Sequence, residues 1–573
     1  MDRILKRRLS PFDMLPHGEL REKLVELVLY GEPPGIDKET AASFQSLRYR
    51  LAGAPVEQVK VVVFGGGTGL SNIIGGDSRS VSWTRAPFVG LKEFFPQTRS
   101  VVCVTDDGGS TGELLKDIPL IALGDIRHVL LSSIQSHRLQ NLYGLSAVEA
   151  LEVVRGLAAL FNYRFSSHPG SVLALFDQCC VRLSCLPDPL AKLLERLLDF
   201  IFSDIRLSVC LERKHCLGNL ILAASIYEEL PVELSSADLV AEPSPLEAAL
   251  QKGLAKLYEP LGICDNGVLP STATQAQLSF LYANGVQVTG EHKSGFARRG
   301  VPVEQVFSRF CGEPRVLPEV INLIAEADII VMAPGSLYSS LIPILQVPGI
   351  ADAVRSNAHA LKILVSNLWA QGGETDLSIS DPERRFYVSD TLKAYEKNIP
   401  GGTVGLFDQV ICLSLKDVPG SILQEYALEG KIPIYLDREQ VSRQGFVPLE
   451  CGIFSQEALA EKGVIQHDPE QLARVVKTLW VICRELHPVQ KNLFERPVSS
   501  DSSLIPSFCE PSISRYQAID QQLDQLEIEV RIRGASPLSV DKVRDELTEI
   551  LWSHKDIPLD HLGNVTGLCC IDG

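Results

Sequence analysis

The spacing of apolar residues changes character near residue 58. Before it, Leu20, Leu24, Val25, Val28 and Leu29 recur at helical intervals across Glu19–Tyr30, and Pro33, Pro34 and Gly35 close the segment. After it, short apolar runs alternate with helical stretches. Val59–Phe64, Ser100–Thr105, Ile329–Ala333, Leu361–Ser366, Gln409–Leu413 and Ile432–Leu436 read as strands, and several are apolar on both faces, the pattern of a parallel sheet covered on two sides. The Leu-rich stretch Leu139–Arg213 predicts helices, including Ser146–Leu160 and Leu190–Phe202, as an insert or cap. Thr274–Glu291 reads as a β element in which Asn284-Gly285 suits a tight hairpin. Pro and Ser dominate His487–Ser514, which predicts a linker to a last helix at Arg515–Arg533. The expectation is an α/β chain with a central, mostly parallel sheet: a helical N-terminal extension (1–57), a main domain (58–484) with a helical insert at about 139–213, and a linker with a helical C-terminal extension (485–573).

Composition narrows the class without naming a function. A chain of 573 residues is long for one ordinary domain, and 45% hydrophobic with 22% charged residues is a globular composition. The formal net charge of -17 opposes general attraction to nucleic acid, though it leaves room for a local basic pocket. Fourteen cysteines are dispersed along the chain, and no apolar segment of signal-peptide length follows Lys6, Arg7 and Arg8. Buried thiols in a cytoplasmic protein are therefore expected. Pro334, Gly335 and several serines interrupt Ala327–Leu345, so no membrane span is predicted. Self-association is left open.

Candidate chemistry lies where the predicted strands end. Val61–Phe64 empties into Gly65-Gly66-Gly67-Thr68-Gly69, a loop that lets backbone approach an anion before a helix N-terminus. Its register fits neither the dinucleotide fingerprint, which would need glycine at Leu70 or Asn72, nor a phosphate-binding loop ending Gly-Lys-Ser/Thr. An oxidoreductase using a nicotinamide cofactor is disfavoured on that ground. The turn Thr105-Asp106-Asp107-Gly108-Gly109 sets two carboxylates side by side, able to meet a magnesium ion, ribose hydroxyls or other donors, or simply to cap a helix. Arg127, in Gly124-Asp125-Ile126-Arg127-His128, is a candidate phosphate clamp, or a partner for Asp125 or a distant carboxylate, with Asp125 a helix cap. Gly218-Asn219 can bring backbone and amide to a ligand or only start a packed helix. Pro334-Gly335-Ser336 repeats the anion-site pattern, and Asn367, followed by Gly372-Gly373-Glu374-Thr375-Asp376, ends another strand. In open parallel sheets such loops share one crevice beyond the strand ends. No paired-cysteine zinc pattern and no Gly-x-Ser-x-Gly nucleophile turn accompanies them.

Taken in order, Phe64–Leu70, Thr105–Gly112, Gly124–Arg127, Leu217–Leu220 and Pro334–Tyr338 resemble the CofD/YvcK family, and the Asp-Asp-Gly-Gly-Ser loop and the Gly-Gly-Glu-Thr-Asp run bring the chain closer to the YvcK branch, the gluconeogenesis factors. The resemblance covers about Val59–Val481. It implies a Rossmann-like three-layer fold that binds a nucleotide or nucleotide-sugar, a UDP-sugar above all, and a role in central carbon metabolism or cell-envelope precursor supply. The CofD branch instead implies magnesium-dependent transfer of a phosphate-containing group from a nucleotide-activated donor to an alcohol. On either branch Gly65, Gly66, Gly67, Thr68, Gly69, Gly335 and Ser336 would hold phosphate. Arg127, Asn219 and Asn367 would line the same cleft, and Asp106 and Asp107 would serve catalysis or the metal. The chain departs from the family in its longer stretch between Arg127 and Gly218, in both extensions, and at Gln466, where arginine is common. Asp468 and Pro469 there read as the cap and first residue of a helix over Glu470–Ile482.

Overall fold

A computed structural model describes residues 15, 19–80, 82–182, 185–290, 301–371, 374–375, 385–415, 418–428, 432–462 and 465–493. Leu24–Leu493 forms one compact unit; the chain ends, Met1–Lys23 and Phe494–Gly573, form another that is described only at residues 15 and 19–23. The expected helix at Arg515–Arg533 lies outside the described residues, as do Gly372, Gly373 and Asp376.

Seven parallel strands make the central sheet: β1 (Lys60–Gly65), β2 (Gln97–Val102), β5 (Val268–Pro270), β9 (Ile329–Met332), β10 (Leu361–Val365), β11 (Gln409–Leu413) and β12 (Val447–Cys451), in the spatial order β12-β11-β10-β9-β1-β2-β5. The chain first builds outward from β1 through β2 to β5, then returns to lay β9 on the other side of β1 and builds the opposite way. The β1–β9 junction is thus the topological switch point. Successive β1 residues explain the three layers: Val61 and Val63 enter one apolar core, Val62 and Phe64 the other, with helices over each face.

Five of the six strands expected from apolar runs are in this sheet. Ile432–Leu436 is not; Pro433 and Tyr435 make only isolated bridges, to Trp369 and Tyr387. Proline there lacks the N–H that a ladder needs. The two strands not expected, β5 and β12, are the edges of the sheet, and each carries a proline, Pro270 and Pro448. An edge tolerates such a residue because one side of its ladder has no partner to bond.

Between β2 and β5 the chain is mostly helical, apart from a two-residue pairing of β3 (Arg164–Phe165) with β4 (His215–Cys216). Helix Ala147–Asn162 starts with a capping box of Ser146 and Glu149, and Asp188–Ser203 buries Leu190, Leu194, Leu197, Leu198 and Ile201 on one face. The hairpin expected around Asn284-Gly285 joins β6 (Ala276–Tyr282) to β7 (Gln287–Thr289), with β8 (Val303–Phe310) on the far side of β6. Val25 and Leu29, from helix Leu20–Tyr30, enter the main core. The last described helix, Pro469–Leu493, continues past His487, where a linker was expected. Among the described residues no single helix is long and apolar enough to cross a membrane. Ser146→Ala removes the acceptor at the start of helix Ala147–Asn162 and should lower unfolding free energy in urea by about 1 kcal/mol with an unchanged denaturant slope.

Candidate functional site

Beyond the carboxyl ends of β1 and β9 the chain leaves in opposite directions, which opens a crevice at the switch point. Gly66 caps helix Gly67–Gly75, and Gly67 takes φ +54°, a left-handed conformation that side chains resist. A Cβ on Gly69 would lie 1.9 Å from Pro334 O and 2.9 Å from Gly335 Cα, so the two loops touch through backbone that only glycine permits. Gly335 N–H donates to Asn367 Oδ1 (2.7 Å), and Asn367 Nδ2 donates back to Gly335 O (2.6 Å), which ties in the end of β10. Ser336 Oγ bonds Ser339 and the Glu374 carboxylate, which also accepts from Tyr338 N–H at 3.3 Å. Burial pushes the Glu374 carboxyl above the ordinary range. Thr105 Oγ1, at the end of β2, donates to Ser339 O (2.9 Å). The loops after four neighbouring strands are therefore joined into one rim.

Acidic and basic groups meet at this rim. Asp106 accepts from Gly108 N–H (2.9 Å), the turn before helix Gly109–Asp117. Across from it the Asp125 carboxylate packs against the glycine loop, 2.7 Å from where a Cβ on Gly66 would lie, and a Cβ on Gly124 would stand 3.2 Å from Asp106 Oδ2. Burial first, then the Asp106 charge, push the Asp125 carboxyl up to about 7. One of the readings of Asp125 from sequence made it the cap of its own helix, observed at Gly124–Ser132. That cap is Leu123, and the carboxylate serves the neighbouring glycine loop instead. Asp107 follows Asp106 in the same turn, half-buried, with its carbonyl packed against Gly112.

Arg127 is buried. Its Nη1 donates to Phe161 O and Asn162 Oδ1 (2.8 Å each), its Nη2 stands 2.8 Å from His128 Nε2, and its Nε has no hydrogen-bond partner. The carbonyl of Phe161 thus takes the place of the carboxylate partner weighed from sequence. Arg79 donates to Thr68 Oγ1 and pairs with Asp77 (3.0 Å). Burial first, then the charges of Arg127, Arg79 and Arg164, hold the His128 imidazole down to about 2, and Asn162, which accepts from Arg127 and donates to Ser78 O (2.9 Å), links Arg127 to the segment that carries Arg79. A chain of net charge -17 thus sets one guanidinium, that of Arg79, directly against its glycine loop. Asn219 is buried in helix Leu217–Tyr227 with Oδ1 unpartnered, one residue from Gly218, whose Cβ would stand 2.6 Å from Arg127 Cδ.

The structure thus gathers Gly65, Gly66, Gly67, Thr68, Gly69, Gly335, Ser336 and Asn367 at one crevice and links Asp106 to it through Asp125. Arg127 and Asn219 lie together beside the helical region. Sequence reasoning missed Arg79, Arg164 and the bridging role of Asp125. Arg79 follows the glycine loop within the same unit and was findable; Arg164, on a two-residue strand, left no signal. Gln466 Nε2 donates to Asn72 Oδ1 (2.9 Å) and Asn72 Nδ2 to His467 O (2.8 Å), so the position where an arginine was looked for braces helix Gly67–Gly75 from behind. Asp468 accepts from Glu470 and Gln471 N–H (2.9 Å each) as the expected cap.

Fold and rim together define a doubly wound α/β protein with its glycine loops joined at the switch point. The family model described as 2-phospho-L-lactate transferase CofD matches residues 61–452. A putative gluconeogenesis factor of Nostoc sp. is 28% identical, over 73% of this chain and 68% of that protein. Gluconeogenesis factors of Halalkalibacterium halodurans and Bacillus subtilis are each 26% identical over 74% of this chain, covering 96% and 98% of their own lengths. A crystal structure of a UPF0052 family protein from Bacillus halodurans, 24% identical, has a TM-score of 0.50 over 73% of this chain and 99% of that one, a likeness of fold. The chain belongs to the CofD/YvcK family.

Gly69→Ala should destabilise the protein by about 3 kcal/mol in chemical denaturation, since the added methyl meets backbone on the facing loop. Because the folded-state pKa of Asp125 is raised, the folded protein holds more protons than the unfolded chain between about pH 4 and about pH 7, and the stability this contributes is lost as pH rises through that window. Thermal melts should show Asp125→Asn abolishing that part of the decline.

Proposed function

We propose that the crevice binds a nucleotide-sugar of the UDP-sugar class and that the protein acts as a ligand-responsive factor in central carbon metabolism or the supply of cell-envelope precursors. The observation that carries this reading is the meeting of Gly66–Gly69 with Pro334–Ser336 beside Arg79, with Arg127 joined to the Arg79 segment through Asn162. Two glycine loops at a switch point offer backbone N–H groups, and the guanidinium groups of Arg79 and Arg127 match the charge of a diphosphate. The names of the relatives support the metabolic setting. A cytoplasmic location accords with the described cysteines, which are all free thiols.

The nearness of Asp106 to Asp125 favours a second reading, transfer of a phosphate-containing group with magnesium. Two carboxylates close enough for the charge of Asp106 to raise the proton affinity of Asp125 fit a divalent cation, so Asp106 and Asp125 would hold it, with Asp107 toward the substrate. The ion supplies positive charge for the transferring phosphate when bound. The protein's own groups would orient that phosphate through the glycine-loop amides and Arg79.

Calorimetry against uridine and guanosine nucleotides and their sugar derivatives, with and without magnesium, should give saturable binding of a uridine diphosphate sugar. Arg79→Ala should weaken it by about tenfold or more, the weight of a charge-assisted hydrogen bond. Failure of every member to bind would overturn the proposal. The pH dependence separates the two readings. A bare diphosphate should bind less tightly as Asp125 ionises through about pH 7, whereas binding that requires magnesium should tighten over the same range.

A further inference from the structure

A second group of chemically able side chains lies away from the crevice. Asp117 ends helix Gly109–Asp117, Cys210 lies in the short turn of helix Val209–Glu212, and His215 opens β4. Their ligand atoms all lie within 4.8 Å of one another. Cys210 and His215 are buried, at 0% and 1% exposure, and Asp117 alone keeps some surface.

Hydrogen bonding does not account for this arrangement. Both ring nitrogens of His215 and Asp117 Oδ2 are buried without a hydrogen-bond partner, where native interiors normally pair such atoms. His215 Nε2 stands 3.6 Å from Asp117 Oδ2, too far for a hydrogen bond. Two ligands of a tetrahedral zinc ion, with bonds near 2.0–2.1 Å, stand about 3.4 Å apart. Arg213 holds Asp117 Oδ1 at 3.2 Å, which fixes the carboxylate with Oδ2 toward the imidazole.

We propose that Asp117, Cys210 and His215 are three ligands of a tetrahedral zinc site, with water as the fourth ligand on the open Asp117 side. One sulfur, one imidazole and one carboxylate make a donor set suited to zinc rather than to magnesium or calcium. Coordination forms a zinc–sulfur bond as the Cys210 thiol releases its proton to solvent. The ion would join the far end of the helix that starts at the Asp106 turn to the strand leading into Asn219. Cys216 N–H already donates to Ser110 Oγ (2.7 Å) between those elements. The site is therefore a structural brace behind the crevice, and it stands whether or not the crevice binds a nucleotide.

The full chain, purified without chelator, should carry about one zinc per chain by elemental analysis. Cys210→Ser and His215→Ala should each reduce this more than tenfold. Should those variants fail to fold, the wild type decides: with cobalt in place of zinc it should show a sulfur-to-cobalt charge-transfer band in the near ultraviolet, and chelator should lower its melting temperature. Wild type without stoichiometric metal and without that band would overturn the proposal, as would folded Cys210→Ser that keeps full zinc.

Discussion

The close passage of two backbone segments at Gly69 and Pro334 is the constraint on which the rest of the site depends. The sheet sets it up, since β1 and β9 are hydrogen-bonded neighbours whose following loops must turn away from one another. Side chains at Gly66 or Gly69 would wedge those loops apart, against Ser340 and Asp125 in one case and Pro334 in the other. With the loops in contact, Asn367 can grip Gly335 through both the oxygen and the nitrogen of its side-chain amide, and Glu374 can reach Ser336 and Tyr338. Four strand ends become one rigid rim.

Electrostatics then gives the rim two sides. Toward β2 it is acidic, with Asp125 held against Asp106 and kept partly protonated near neutral pH by burial and repulsion. Toward the helical region it is basic, where Arg79 meets the glycine loop and Arg127 stands against a His128 that burial and positive charge keep neutral. An anion with a cation beside it suits both sides at once. The orphaned Arg127 Nε and Asn219 Oδ1 belong to the same neighbourhood, and buried groups without partners are costly unless something else pairs with them.

Much of this fold is legible in the sequence, for identifiable reasons. The five inner strands announce themselves because burial on both faces demands unbroken apolar runs. The edge strands do not, since Pro270 and Pro448 look like breakers until one knows that they sit at an edge. The glycine loops are legible because close backbone approach is written in consecutive residues. The packing of Asp125 against Gly66 and Gly67, and the link from Arg127 through Asn162 to the Arg79 segment, are made only by tertiary packing. No local spacing records them. Gln466 shows the converse, a position noticed for the charge it lacks that proves to brace the loop helix through Asn72.

Hydrogen–deuterium exchange with and without a uridine diphosphate sugar tests the central claim most directly, because it reports where on the backbone a ligand acts. Slowed exchange should appear together at residues 66–70, 335–338 and 366–368, three stretches far apart in sequence and joined only at the switch point. Protection confined to the β6–β7 hairpin or to the helices at 147–203, with these three stretches unchanged, would contradict it.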